Sequence, residues 1–268
     1  MSSYPQLSQD SLAKLRDEFT KNFDELKAAP AKVNEGYDQL KKISLVHYYA
    51  GTHVRDDIQA KLAKAISELE KAVEGMFAPW LFVDYASKWQ QVGNKVEHAR
   101  GIANAEIYNL EGNWDGSAYK SFKESKNYQI NAMAAVEDLC ERVHDQLLII
   151  AEEGRKLYSD IVKNIISIVT QVGIFLAESL GTGGAAVPFI LSDLNSIVVG
   201  MVDLIVQAMV DFVETQAKVV IASNELSNMI EDRAEFVDPT TGKDAWPTPN
   251  SAEYDNKDDD WHMDGQDK

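Results

Sequence analysis

The sequence predicts an all-α protein: an elongated antiparallel helical bundle built on one long helical hairpin, with an added apolar helical hairpin and a disordered acidic tail. Three observations carry this expectation. Apolar residues recur at steps of three and four over most of the chain, the spacing of one helix face. Glycine (15) and proline (7) are scarce among 268 residues and gather at apparent joints. Alanine, leucine, lysine, glutamate and aspartate are abundant, which favours helix over sheet. A hydrophobic content of 45% is enough for a sizeable core.

The first helix is expected from Ser11 as N-cap, with Leu12, Leu15, Phe19, Phe23 and Leu26 on one face. Pro30 interrupts it or starts a new helix, and Val33, Tyr37, Leu40 and Ile43 continue the apolar face. A joint is expected near Gly51-Thr52. Ile58, Leu62, Ile66, Leu69, Val73 and Met76 mark the next helix, which Pro79 kinks or breaks. Tyr85, Trp89, Val92, Val96, Ala99, Ala103, Ile107 and Leu110 then form a seam that ends at a glycine C-cap, Gly112-Asn113.

The pattern restarts immediately after Trp114-Asp115-Gly116. Ala118, Phe122, Gln129, Met133, Val136, Cys140, Val143, Leu147, Ile150, Gly154 and Leu157 share one face, as in the seam of an antiparallel helix pair. Residues 161–223 are the most apolar part, broken at Gly181-Thr182-Gly183-Gly184 and resumed after Pro188. Asp160, Lys163, Ser167, Gln171 and Glu178 fall near one face of the first of these helices. Asp203, Gln207, Asp211, Glu214 and Lys218 do so on the second. A charge at a bilayer centre costs about 2.5–3.5 kcal/mol, so these read as amphipathic helices packed on the bundle rather than as two spans. The expected segments are 1–50, an N-terminal helical segment; 51–160, the hairpin region; 161–236, the apolar hairpin; and 237–268, the acidic tail. Residues 238–268 hold nine acids, three lysines and three prolines.

Forty-three acids against 26 bases give a net charge of −17. Such a surface repels phosphate backbones and disfavours nucleic-acid binding and simple adsorption to anionic lipid. No phosphate loop, nucleophile elbow or His-Glu-x-x-His is present, so no catalytic residue, metal or cofactor is assigned and the chain is read as a non-enzyme. Cys140, the single cysteine, stands four residues before His144, and reads as a buried structural cysteine beside a surface histidine. Asp56-Asp57 and Glu152-Glu153 read as solvated helix faces. The first residues, Met-Ser-Ser-Tyr-Pro-Gln-Leu-Ser, carry no basic segment followed by an apolar run, so no secretory signal peptide is expected.

A chain reversing between two long helices needs a residue tolerant of positive φ, which Gly116 supplies. Trp114 projects a large amphipathic ring at the reversal, and Asp115 and Ser117 can satisfy free N–H groups of the next helix. Leu110, Trp114-x-Gly116, Ala118 and Phe122, followed by Leu139, Val143, Leu147, Ala151 and Tyr158, resemble the WxG helical-hairpin family exported by type VII (ESX) secretion systems. The resemblance covers residues 73–158. It implies a helical hairpin that pairs into a four-helix bundle, leaves the cell folded without a cleaved signal peptide after residing in the cytoplasm, and acts by protein interaction. It also implies that Trp114 and Gly116 belong to the export signal. The implied partners are the type VII machinery or a WxG-type protein, with a homo-oligomer as a further form.

The chain is longer than typical members of that family. Helices at 11–76 and 161–230 are expected to complete a four-helix core within one chain. The family's Tyr-x-x-x-Asp/Glu signal does not match at Tyr158, which is followed by Val162, but does match at Tyr254-x-x-x-Asp258 in the tail. An alternative reading is a helical pore-forming or membrane-active protein that uses the apolar hairpin 161–223.

Overall fold

The computed structural model describes residues 4–105 and 116–231, together with Gly112, Gly242 and Trp246. It is all-α, and among the described residues there is no strand. After a 3-10 turn at Pro5–Leu7 come α1 (Gln9–Asp38), a 3-10 turn at Gln39–Lys42, α2 (Leu45–Gly75), α3 (Ala78–Ala103), α4 (Ser117–Gly181) and α5 (Val187–Glu231). Two compact units form. One takes the described residues of 1–83 and 148–218, and the other those of 84–147 and 219–268.

The first unit is a four-helix core. Phe19, Phe23, Leu26, Val33 and Tyr37 of α1 meet Ile58, Leu62 and Leu69 of α2. Ile161, Ile165, Ile168 and Val172 of α4 and Leu191, Leu194, Val198, Val202 and Ile205 of α5 complete it. Each set recurs at three- and four-residue steps, the geometry by which one stripe per helix faces a common centre. The expected core was the hairpin at 73–158 completed by helices at 11–76 and 161–230. The core observed is made by α1, α2, the second half of α4 and the first half of α5, while α3 contributes its first turns, at Trp80, Phe82 and Val83, to a smaller cluster with Leu7, Leu12 and Ala151.

Several joints move from where the sequence suggested them. The N-cap of α1 is Ser8, whose hydroxyl accepts the Ser11 amide, rather than Ser11 itself. Pro30 lies inside a continuous α1, so one intrahelical bond is lost without breaking the helix. The joint expected at Gly51-Thr52 falls at Ile43-Ser44, where Ser44 caps α2 by accepting the His47 amide. Gly51 is instead a site of close approach: a Cβ there would stand 3.1 Å from the Tyr37 ring and 3.4 Å from Leu191. Pro79 does mark a break, at Met76-Phe77, and occupies the first turn of α3, where a missing N–H costs nothing. The expected divisions at 50 and 160 fall inside α2 and α4.

The break at Gly181–Gly184 is present. Gly184 has φ +98, and a Cβ there would come within 2.8 Å of the Gln39 carbonyl, so both backbone angle and space demand glycine. The α4–α5 connection therefore lies against the α1–α2 connection at one end of the four-helix core.

Candidate functional site

The second unit contains the helix pair that flanks the Trp-x-Gly segment. Three contacts fix its antiparallel register. His144 Nδ1 donates to the Ala86 carbonyl at 2.9 Å, the acceptor-only carbonyl requiring the proton on Nδ1. A Cβ on Gly93 would stand 3.2 Å from the Cβ of Cys140. Arg100 pairs with Glu137 at 2.7 Å, both side chains about a third exposed. Residue numbers rise on α3 as they fall on α4, so the chain reverses between Ala103 and Ser117.

Gly116 stands immediately before α4, exposed, with φ +96. Its carbonyl accepts the Lys120 amide at 3.3 Å, the first bond of the helix. The positive φ is the conformation expected of glycine at a reversal. Gly112, at φ +85, is the nearest described residue on the other side. α3 itself closes at Ala103, where the Asn104 and Ala105 amides bond to the carbonyls of Arg100 and Ile102. Trp114, Tyr254 and Asp258 lie outside the described residues, as do Ile107, Leu110, Asn113 and Asp115. Of the four residues expected to form an export motif, Gly116 alone is among the described residues.

The face α3 turns to α4 is not the one its apolar pattern suggested. Ala86 and Gly93 are buried against α4, whereas Tyr85 is 50%, Trp89 37% and Val92 45% exposed. Small residues seven apart let the helices approach closely, and the larger residues beside them are left outward. Tyr85, Trp89 and Val92 thus form an outward stripe at steps of four and three, with Val96, half-buried, in line with it. Lys88 folds back over the Tyr85 ring at 5.1 Å and pairs with Asp84 at 2.7 Å. On α4 the expected seam does hold Cys140, Ile150, Gly154 and Leu157 in buried positions.

Cys140 is buried, and desolvation raises its thiol above the ordinary range, which suits a structural cysteine. Among the described residues no group of three His, Cys, Asp or Glu side chains is placed to hold a metal ion. Glu152 is not fully solvated: Arg155 grips both its oxygens, at 2.8 and 2.7 Å, and lowers its pKa. Tyr158 is a core residue with its hydroxyl on the Ala72 carbonyl.

Two helical stretches, 119–181 and 187–214, are long and apolar enough to cross a membrane, with 33% and 17% of their most apolar windows buried. Asp160, Lys163, Glu178, Asp203 and Asp211 are exposed on them, in keeping with amphipathic helices. Comparisons with family models, with curated proteins and with solved structures return no match.

Proposed function

We propose that this chain is a type VII (ESX) secretion substrate that acts by protein–protein recognition rather than catalysis and leaves the cytoplasm folded. The observation that carries the reading is the antiparallel α3–α4 pair, registered by Ala86–His144, Gly93–Cys140 and Arg100–Glu137, with Gly116 at positive φ where the second helix begins. Trp114 and Gly116 would form the bundle-end part of the signal, and Tyr254 and Asp258 the tail part. The outward stripe of Tyr85, Trp89 and Val92 supplies a surface on which a helix of the export machinery, of a WxG-type partner or of a second copy can complete the seam.

The test is an export assay in the native host with the type VII motor ATPase active or inactivated. Full-length chain, Trp114→Ala and a version truncated after Val237 are compared. Motor-dependent appearance outside the cell, lost in Trp114→Ala with helicity intact, is the expected result. Export of Trp114→Ala at the wild-type level removes the reading.

The apolarity of α4 and α5 favours a second reading, a membrane-active protein whose 161–223 hairpin inserts. Dye release from liposomes is its measurement, and absence of release at neutral and acidic pH removes it.

A further inference from the structure

At one end of the four-helix core two connections meet, and both carry large apolar side chains into solvent. From the α1–α2 side come Ile43, Leu45, Val46 and Tyr49, exposed by 50, 61, 78 and 70%. From the α4–α5 side come Leu180 and Phe189, exposed by 47 and 78%. The close approach of Gly184 to Gln39 and of Gly51 to Leu191 places both groups at the same end.

Both connections and the turns beside them lack acidic residues. Residues 39–54 and 179–192, 30 in all, contain no aspartate or glutamate. The chain's average of 43 acids in 268 residues would place about five there. Their only formal charges are Lys41 and Lys42, beside the apolar residues. Lys41 pairs with Asp38 at 2.9 Å and lies over the Tyr48 ring at 4.7 Å, and Lys42 Nζ donates to Gln39 Oε1 at 2.6 Å. Asp38, the partner of Lys41, and Glu178 and Asp193 border the two segments just beyond their edges. Beyond these bordering acids, the rest of the net −17 acts weakly here, because charges farther than a Debye length of about 8 Å are largely screened at physiological salt.

We propose that this end of the core docks on the surface of a lipid bilayer containing anionic headgroups. Val46, Leu45 and Phe189 would enter the boundary between headgroups and acyl chains. Tyr49 would lie at headgroup level, where amphipathic rings concentrate. Lys41 and Lys42 would face lipid phosphates. A second copy of the chain fits the end less well, since two such ends face to face offer connections and first turns rather than a long helix face. Docking requires neither insertion of α4 and α5 nor the export reading; the four-helix core stays closed.

The test is flotation of the full chain with vesicles of phosphatidylcholine, alone or mixed with phosphatidylglycerol. Wild type is expected to float with the mixed vesicles and to release no entrapped dye. The double variant Val46→Ser/Phe189→Ser is expected to lose roughly tenfold or more in partitioning, since such binding scales with buried apolar area. Both positions are largely exposed, so circular dichroism should stay unchanged. Val213→Ser, at an exposed apolar position about 36 Å along α5 from Phe189, should float as wild type does. Lys42→Gln should weaken binding to mixed vesicles and leave binding to phosphatidylcholine alone as it was. No flotation with either vesicle, undiminished flotation of the double variant, or equal loss in Val213→Ser overturns the proposal. So does a concentration-dependent dimer that Phe189→Ser abolishes, which would assign the end to a second copy.

Discussion

The Tyr158 hydroxyl donates a 2.8 Å hydrogen bond to the carbonyl of Ala72, 86 residues earlier in the chain. Ala72 lies in the last turn of α2, where carbonyls run out of intrahelical partners. The Met76 amide, which would continue the ladder, bonds to Val73 instead. Tyr158 therefore closes the end of α2 from inside the core, its ring edge-on to Phe19 at 6.0 Å.

Tyr158→Phe keeps the ring and leaves the Ala72 carbonyl unpaired, so it should cost about 1 kcal/mol at neutral pH. Burial also pushes the Tyr158 hydroxyl up to about 12. Below pH ~10 folded and unfolded chains both hold this proton. Between ~10 and ~12 the unfolded chain gives it up first, so this residue's contribution to stability falls as pH rises. The gap between wild type and Tyr158→Phe, measured by urea unfolding, should narrow above pH ~10. A gap that widens contradicts a buried neutral tyrosine.

Two glycines in long helices should respond in opposite directions to alanine. A Cβ on Gly36 would meet Phe175 Cε1 at 2.6 Å, and that ring is itself buried. Gly36→Ala should therefore cost roughly 1–3 kcal/mol through overpacking. Gly173, inside α4, has nothing within 4 Å of the added carbon. Gly173→Ala should gain about 0.5–1 kcal/mol by helix propensity. Thermal unfolding of the two variants checks the pairing of α1 with α4. Equal stabilisation would mean that Gly36 does not face Phe175.

The class of the fold was legible because long helices repeat their apolar spacing many times. The core stripes Phe19-Phe23-Leu26 and Ile58-Leu62-Leu69 stand where the pattern put them. The glycine break before α5 was equally plain. The face of α3 was not. Hydrophobic spacing measures how apolar a residue is, and it selected Tyr85, Trp89 and Val92. Close helix approach instead rewards small side chains, and it selected Ala86 and Gly93. The repeat of Ala86 and Gly93 at seven residues was the available signal. Gly51 misled for a related reason, since a glycine that admits the Tyr37 ring looks in sequence like one that ends a helix. Of the site itself, only the turn glycine, Gly116, can be compared with its expectation, because Trp114, Tyr254 and Asp258 lie outside the described residues.

Glu152 and Arg155 give the first unit a sensitivity to acid. The forked hydrogen bonds from Arg155 hold the Glu152 carboxyl below its ordinary value, and both side chains are mostly buried. A depressed folded pKa contributes stability that is present above the unfolded value of about 4.3 and is lost as pH falls through the folded one. Glu152→Gln should cost about 0.5–1 kcal/mol at pH ~7, as expected of one pair within a helix. The difference from wild type should shrink below pH ~4. Chemical denaturation across that range is the measurement, and a constant difference would assign the loss to something other than charge.

Gly93 sets the spacing of the proposed recognition hairpin, and Cys140 reports on it. A Cβ at residue 93 would stand 3.2 Å from the Cβ of Cys140, closer than two such carbons ordinarily sit. Neither carbon can rotate away, because each is fixed by its own helix backbone, so Gly93→Ala must move α3 from α4. The cost of overpacking, about 1–3 kcal/mol, works against a propensity gain of about 0.8–1 kcal/mol, leaving a loss of up to about 2 kcal/mol. Burial keeps the Cys140 thiol protonated and slow to react, so the native protein should resist a thiol reagent while the unfolded chain reacts freely. Gly93→Ala should speed that native reaction severalfold. Gly101→Ala, on the same helix with nothing within 4 Å of the added carbon, should leave it unchanged and slightly raise stability. If Gly93→Ala instead behaves like Gly101→Ala in both respects, α3 does not approach α4 through Gly93. The outward stripe of Tyr85, Trp89 and Val92 would then be turned back toward α4, and the partner surface proposed for it would be lost.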